Sequence, residues 1–148
     1  MKIYLASSWK NEIIVKQIAE YLMNYGFEVD NFTDDTKGRF VFHYSELGRL
    51  DELDAVTFLR DQRALRAFHE DKKWIDWSEA VVLILPAGRS AHLEAGYAKG
   101  SGKKLIILSL GEFPKGEFDV MYGFADILTT QPVEIIKFLE RMEENLDV

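Results

Sequence analysis

The chain has 148 residues, the size of one domain spanning 1–148, and such a domain buries about 70% of its unfolded surface. Apolar residues make up 47% and charged residues 29%; there is no cysteine, and the net charge is −7. This excludes disulfides, thiolate metal sites and the broad basic surface that binds a nucleic acid polymer. No apolar run reaches the roughly 18 residues of a membrane span. The leading MKIYLASSWK has too short an apolar run for a secretory signal, so a cytoplasmic protein off the membrane is expected.

In chain order, residues 2–6 (KIYLA) predict a first strand. Lys10–Tyr25 carries Ile14, Ile18, Tyr21, Leu22 and Tyr25 at helical spacing, and Gly26 is placed to end that helix. Phe27–Phe32 (FEVDNF) alternates and predicts strand two. Residues 33–50 predict a long loop with aromatic residues Phe40, Phe42 and Tyr44, suited to closing over a ligand or to an oligomer contact. Residues 51–77 predict one long or broken helix. Residues 80–85 (AVVLIL) are wholly apolar, as in a central parallel strand covered on both faces. A helix over Ser90–Gly100, a strand over Lys104–Leu108 and a short edge strand within Gly123–Thr129 follow. Pro132–Leu146 closes the chain as a helix with Ile135, Phe138, Leu139, Met142 and Leu146 on one face.

Strands separated by helices predict an α/β fold: an open, doubly wound parallel sheet of about five strands, flavodoxin/Rossmann-like, with helices on both faces. Such sheets bind ligands outside the carboxyl ends of their strands. That rule selects the loop after strand one (Ser7, Ser8, Trp9, Lys10, Asn11), the loop after strand two and the loop after Leu85. In the last of these, Gly88 permits close approach of a ligand, Ser90 is the expected helix cap, and Arg89 can pair with a phosphate. Gly88 and Ser90 serve an ordinary strand–turn–helix junction equally well.

Glu94 lies one residue beyond the capping-box position counted from Ser90, among Ala91, Ala95, Gly96 and Ala98. Small neighbours allow close helix-on-sheet packing or leave room for a ligand. A carboxylate near a helix N-terminus is expected to be ionised. An ionised carboxylate at the mouth of a parallel sheet can act as nucleophile on a glycosidic carbon.

The order KIYLAS, then VVLILPAGRSAHLEAGYAKGSGKKLIIL, resembles the nucleoside 2-deoxyribosyltransferase superfamily, including the 2′-deoxynucleoside 5′-phosphate N-hydrolases. The shared pattern is an IYLA strand, an acidic residue before a central apolar strand, E-x-G-x-A (Glu94 to Ala98) and a G-K-x-I-type strand (Gly102 to Ile106). Residues 33–60 match it weakly.

The resemblance implies an enzyme that cleaves or exchanges an N-glycosidic bond through Glu94 and a glycosyl-enzyme intermediate. It implies an acid that protonates the departing base, with Asp71 best positioned and Asp76 its rival. It places Ser7, Ser8 and Asn11 against sugar or phosphate and Arg89 and Ser90 against a 5′-phosphate. Those serines and Asn11 can equally cap the first helix. Trp9 can stack on a base, whereas Trp77 suits core packing.

The partner is then a small nucleoside or nucleotide, and a homodimer or larger homo-oligomer is implied. The 39–44 loop or the 51–77 segment is the expected interface. No cofactor is expected: there is no G-x-G-x-x-G after strand one, and His43, His69 and His92 lack a metal-ligand spacing. His92 is expected to be structural or exposed. Competing readings are a non-catalytic sensor of a nucleotide or NAD derivative, and an NAD glycohydrolase resembling Toll/interleukin-1 receptor domains.

Overall fold

A computed structural model describes residues 1–146, the side chain of Leu146 excepted. The expected place of Leu146 on the last helix's apolar face therefore lies outside the described residues. Five parallel strands form one sheet in the order β2-β1-β3-β4-β5. They are β1 (Lys2–Ala6), β2 (Glu28–Asp30), β3 (Ala80–Ile84), β4 (Lys104–Leu108) and β5 (Ile127–Thr129). The helices are α1 (Glu12–Asn24), α2 (Ala55–Phe58), α3 (Gln62–Trp77), α4 (Arg89–Gly100) and α5 (Pro132–Leu146). The open, doubly wound parallel sheet expected from the sequence is present. Its order reverses between β1 and β3, which is where this strand order places a ligand crevice.

Strand alternation divides the core. Ile3, Leu5, Val82, Ile84, Ile106 and Leu108 face one layer, packed with α1 and α5 residues such as Val15, Leu22 and Leu139. Tyr4, Ala6, Val81, Leu83, Leu105 and Ile107 face the other, against Ile75 of α3 and Ala91, Ala95 and Ala98 of α4. Both faces are covered, so the central strands need no polar residues. The alanines recur every three or four residues and let α4 lie close on the sheet. Close packing is thus the role of these three small residues.

Element edges differ from expectation where caps decide them. A 3₁₀ turn at Trp9–Asn11 precedes α1, so the helix begins at Glu12. Its end is a Schellman motif: Phe27 N–H donates to the Leu22 carbonyl, Gly26 N–H donates to the Met23 carbonyl, and Gly26 takes φ 92°. Strand β2 has three residues rather than the six of Phe27–Phe32. The 51–77 segment is broken, because Asp54 caps the short α2 and Asp61 caps α3 through its side chain. The 33–50 segment contains a 3₁₀ turn at Tyr44–Leu47. Residues Val120–Phe124 form another, which shortens the expected edge strand to Ile127–Thr129. Ile136 joins Ile135 and Leu139 in the core, which widens the apolar face of α5. No described helix is long and apolar enough to cross a membrane.

Candidate active site

The carboxyl ends of β1, β2 and β3 open into a cleft with two connected cavities. One, of about 340 Å³, reaches Ser7, Ser8, Trp9, Lys10, Arg39, Gly88, Arg89 and Ser90. The other, of about 450 Å³, is mostly apolar and is lined by side chains including Phe58, Leu59, Phe68, Leu93 and Tyr97. Tyr44, Ala67, Asp71, Ser90 and Glu94 line both. The two carboxyl groups named from the sequence, Glu94 and Asp71, therefore stand where the cavities meet.

Glu94 is in the second turn of α4, on the side that carries Ala91 and Ala98 to the sheet. The chain alternation of β1 sends Tyr4 to the same side. The Tyr4 hydroxyl donates a hydrogen bond to Glu94 Oε2. Tyr4 is 1% exposed, and a buried phenol needs such a partner. Burial, then the charge of Glu94, holds its ionisation well above the usual range, so the phenol remains a donor.

The expectation that Glu94 is ionised by the helix dipole is overturned. Its carboxyl is pushed up to about 8, first by burial and next by the negative charge of Asp71, while the Tyr4 hydrogen bond and Arg39 pull the other way. The dipole field fades beyond the first turn. Glu94 sits past that turn because α4 begins at Arg89. Ser90 is not the cap: Gly88 holds that position, and no side-chain cap bond forms there.

Asp71 lies on α3 and is held from outside the helix. Arg39 donates through Nε to Asp30 Oδ1 at 2.9 Å, through Nη2 to Asp30 Oδ2 at 3.1 Å and through Nη2 to Asp71 Oδ1 at 3.0 Å. The side chains of Arg39 and Asp30 are each 5% exposed, against 40% for Asp71. Burial pushes the Asp71 carboxyl up, opposed by the adjacent guanidinium. Asp76 faces elsewhere: it pairs with Lys72 at 2.7 Å and accepts a bond from Tyr97. The structure thus brings Asp71, and not Asp76, beside Glu94 in the cleft.

The strand-one loop is built partly for support. Ser7 Oγ donates to the Ile84 carbonyl at 2.8 Å. Asn11 Nδ2 donates to Ser7 Oγ and to the Pro86 carbonyl, at 3.0 and 2.6 Å. These bonds tie the end of β1 to the loop after β3. Ser8 accepts from Lys10 N–H and caps the 3₁₀ turn. Trp9 packs edge-on to Phe32, with ring centroids 5.3 Å apart, and remains partly exposed at the cleft. Arg89 and Ser90 are exposed there. His92 is structural: Nδ1–H donates to the Gly88 carbonyl at 2.7 Å, and Nε2 is hydrogen-bonded with the Tyr122 hydroxyl at 3.0 Å. Trp77 packs edge-on to Trp74 outside both cavities.

The aromatic loop forms one wall of the cleft. Phe40 N–H donates to Glu70 on α3 at 3.3 Å, and the Arg66 guanidinium lies 4.0 Å from the Phe40 ring centroid. Tyr44 packs edge-on against Phe42 and Phe58. Sequence reasoning missed Tyr4, Asp30 and Arg39. A signal for Tyr4 was available, since a tyrosine inside a doubly covered strand must find a partner for its hydroxyl. For the Arg39 pairings there was none, because they join the loop to β2 and α3 only in three dimensions. Among the described residues no cluster of three or more His, Asp or Glu side chains could hold a metal ion.

No protein-family model matches the sequence, and no curated protein matches it significantly. Solved structures do resemble the fold. A Clostridium botulinum CMP N-glycosidase superposes with a TM-score of 0.55 at 16% identity, covering 96% of this chain and 99% of the other. A 2-deoxyribosyltransferase from Bacillus psychrosaccharolyticus superposes with a TM-score of 0.61 at 20% identity, covering 91% and 90%. The chain has the fold of these two proteins over nearly its whole length.

Proposed function

We propose that this chain is a member of the nucleoside 2-deoxyribosyltransferase superfamily that cleaves or exchanges the N-glycosidic bond of a nucleoside or nucleoside 5′-monophosphate. The carrying observation is the meeting of Glu94, held by Tyr4, and Asp71, held by Arg39, in one cleft at the sheet's switch point. The likeness in fold to a CMP N-glycosidase and a 2-deoxyribosyltransferase supports the reading.

In the proposed reaction, Glu94 as carboxylate bonds to the anomeric carbon while the carbon–nitrogen bond breaks. The base nitrogen takes a proton from Asp71, because a base anion leaves poorly near neutral pH. Water then adds to the anomeric carbon, releases Glu94 as carboxylate and returns a proton to Asp71. One water is consumed per base released; a second base with its own N–H replaces water when bases are exchanged. Lys10 and Arg89 line the polar cavity beside Ser8 and suit a 5′-phosphate. The aromatic wall, on which Tyr44 is exposed, and Trp9 suit a planar base.

The test is a panel of nucleosides, nucleoside 5′-monophosphates and NAD, with and without free adenine, followed by chromatography of the base. Base release or exchange that disappears in Glu94→Ala is expected. No turnover across the panel, with a nucleotide still raising Tm equally in both proteins, would replace this reading with a nucleotide sensor.

A further inference from the structure

We propose that Arg39 is the positioning residue that decides which carboxyl of the cleft, Asp71 or Glu94, carries their shared proton. The inference rests on the glycosidic reading of the same cleft, but its geometry stands apart from any substrate.

The reaction needs Asp71 protonated and Glu94 ionised. The described arrangement favours the reverse. Arg39 donates directly to Asp71, which stabilises the carboxylate form, and Glu94 has no cation in contact, only the Tyr4 hydroxyl. Two carboxyls in one low-dielectric site do not both ionise readily, so the proton goes to Glu94. Its raised ionisation is in keeping with that placement.

The grip of Arg39 is unequal. Asp30 receives two bonds, from Nε and Nη2, and is as buried as Arg39 itself. Asp71 receives one, from the Nη2 that already serves Asp30, and is far more open to the cleft. Turning the Asp71 side chain toward a base in the cleft breaks only that one bond. Arg39 stays fully paired with Asp30 and no buried charge is stranded. Asp71 then gains proton affinity, and Glu94 loses it as the neighbouring negative charge is neutralised. One proton passes from Glu94 to Asp71, charge is conserved, and both groups reach the forms that the reaction uses.

The other ionisable groups around the pair leave this role to Arg39. Glu70 on α3 accepts from Trp74 and Phe40 N–H and adds negative charge near Asp71. Tyr4 and Tyr44 are neutral phenols, both raised first by burial. Lys72 is committed to Asp76. Lys10 and Arg89 line the polar cavity but make no bond to either carboxyl.

The experiment compares the wild type with Arg39→Lys and with the double variant Asp30→Asn/Arg39→Gln. The double variant replaces the buried Asp30–Arg39 ion pair by two neutral amides, so neither position is left as a lone buried charge. Near-ultraviolet circular dichroism confirms the fold. Titration of the Asp71 and Glu94 carboxyl carbons by ¹³C NMR reads the proton directly, whether or not turnover is found. In the wild type and Arg39→Lys, Asp71 is expected to ionise first. In the double variant the proton moves toward Asp71, and the acid limb of the kcat/KM profile rises by roughly one pH unit. An unchanged order of ionisation in the folded double variant overturns the proposal. Loss of turnover in every protein, with the reordered titration present, refutes the glycosidic reading and leaves the assignment of Arg39 intact.

Discussion

Two sides of the cleft hold a carboxyl by different means. On the β1–α4 side, Glu94 leans on a neutral phenol. On the β2–α3 side, Asp71 leans on a guanidinium that a second, buried aspartate anchors. Both carboxyls are pushed up by burial, yet a cation opposes the push in direct contact only at Asp71. Sequence-local features such as the helix dipole do not set the charge of such a site. The nearest buried partner does, because interactions in a low-dielectric pocket fall off less with screening.

The comparison can be broken at either side. Replacing the cation-held partner should have the largest effect. Asp71→Asn removes the proposed proton donor and is expected to lower kcat by roughly 10²- to 10⁴-fold. The loss should be smaller for a substrate whose leaving group needs no proton, such as a nitrophenyl glycoside of the same sugar. Equal losses on both substrates would assign Asp71 a role in binding instead.

The phenol-held side should show itself next, in stability. A carboxyl whose folded ionisation lies at about 8, above its ordinary 4.5, favours folding only while protonated. Below pH ~4.5 the folded and unfolded forms are both protonated, and there is no penalty. As pH rises from there to about 8, the unfolded chain ionises first and stability is lost. Glu94→Gln, which stays neutral, should match the wild type at pH 4–5. It should exceed it by on the order of 5 kcal/mol at pH 9 in denaturant titrations. A gap that does not widen with pH would show that Glu94 is not destabilised by its burial.

The smallest effect sharpens the comparison. Tyr4→Phe keeps the ring in the core and removes one hydroxyl. The hydrogen bond from Tyr4 lowers the Glu94 ionisation, so its loss should raise the basic limb of the pH–rate profile, which reports the second ionisation of the Asp71–Glu94 pair. About a tenfold fall in kcat/KM near neutrality is expected, equivalent to about 1.4 kcal/mol. A profile that only scales down, without moving, would make the phenol a packing element.

Much of the architecture was legible along the chain. AVVLI and KLIIL are apolar without a break because helices cover both faces of the sheet, and that requirement marks a central parallel strand. The resemblance carried by the E-x-G-x-A segment and by an acidic residue before the central strand pointed to Glu94 and to Asp71, with Asp76 left as its rival. Element edges were less legible. A side chain such as Asp54 or Asp61 competes to end or start a helix, and several positions are chemically eligible. The cap of α4 fell on Gly88 for the same reason, although Ser90 had the better capping chemistry.

What the sequence alone determined is the order of strands and helices, and the two carboxyl-bearing helices that end up at the switch point. Local periodicity carries that information, because each strand and helix must bury a face. What only the tertiary structure decided is the charge state and the partners of those carboxyls. Tyr4 meets Glu94 across 90 residues of chain, and Arg39 meets Asp71 across 32. Burial and long-range contact fix these pairings, and both arise only when the chain has closed around the cleft.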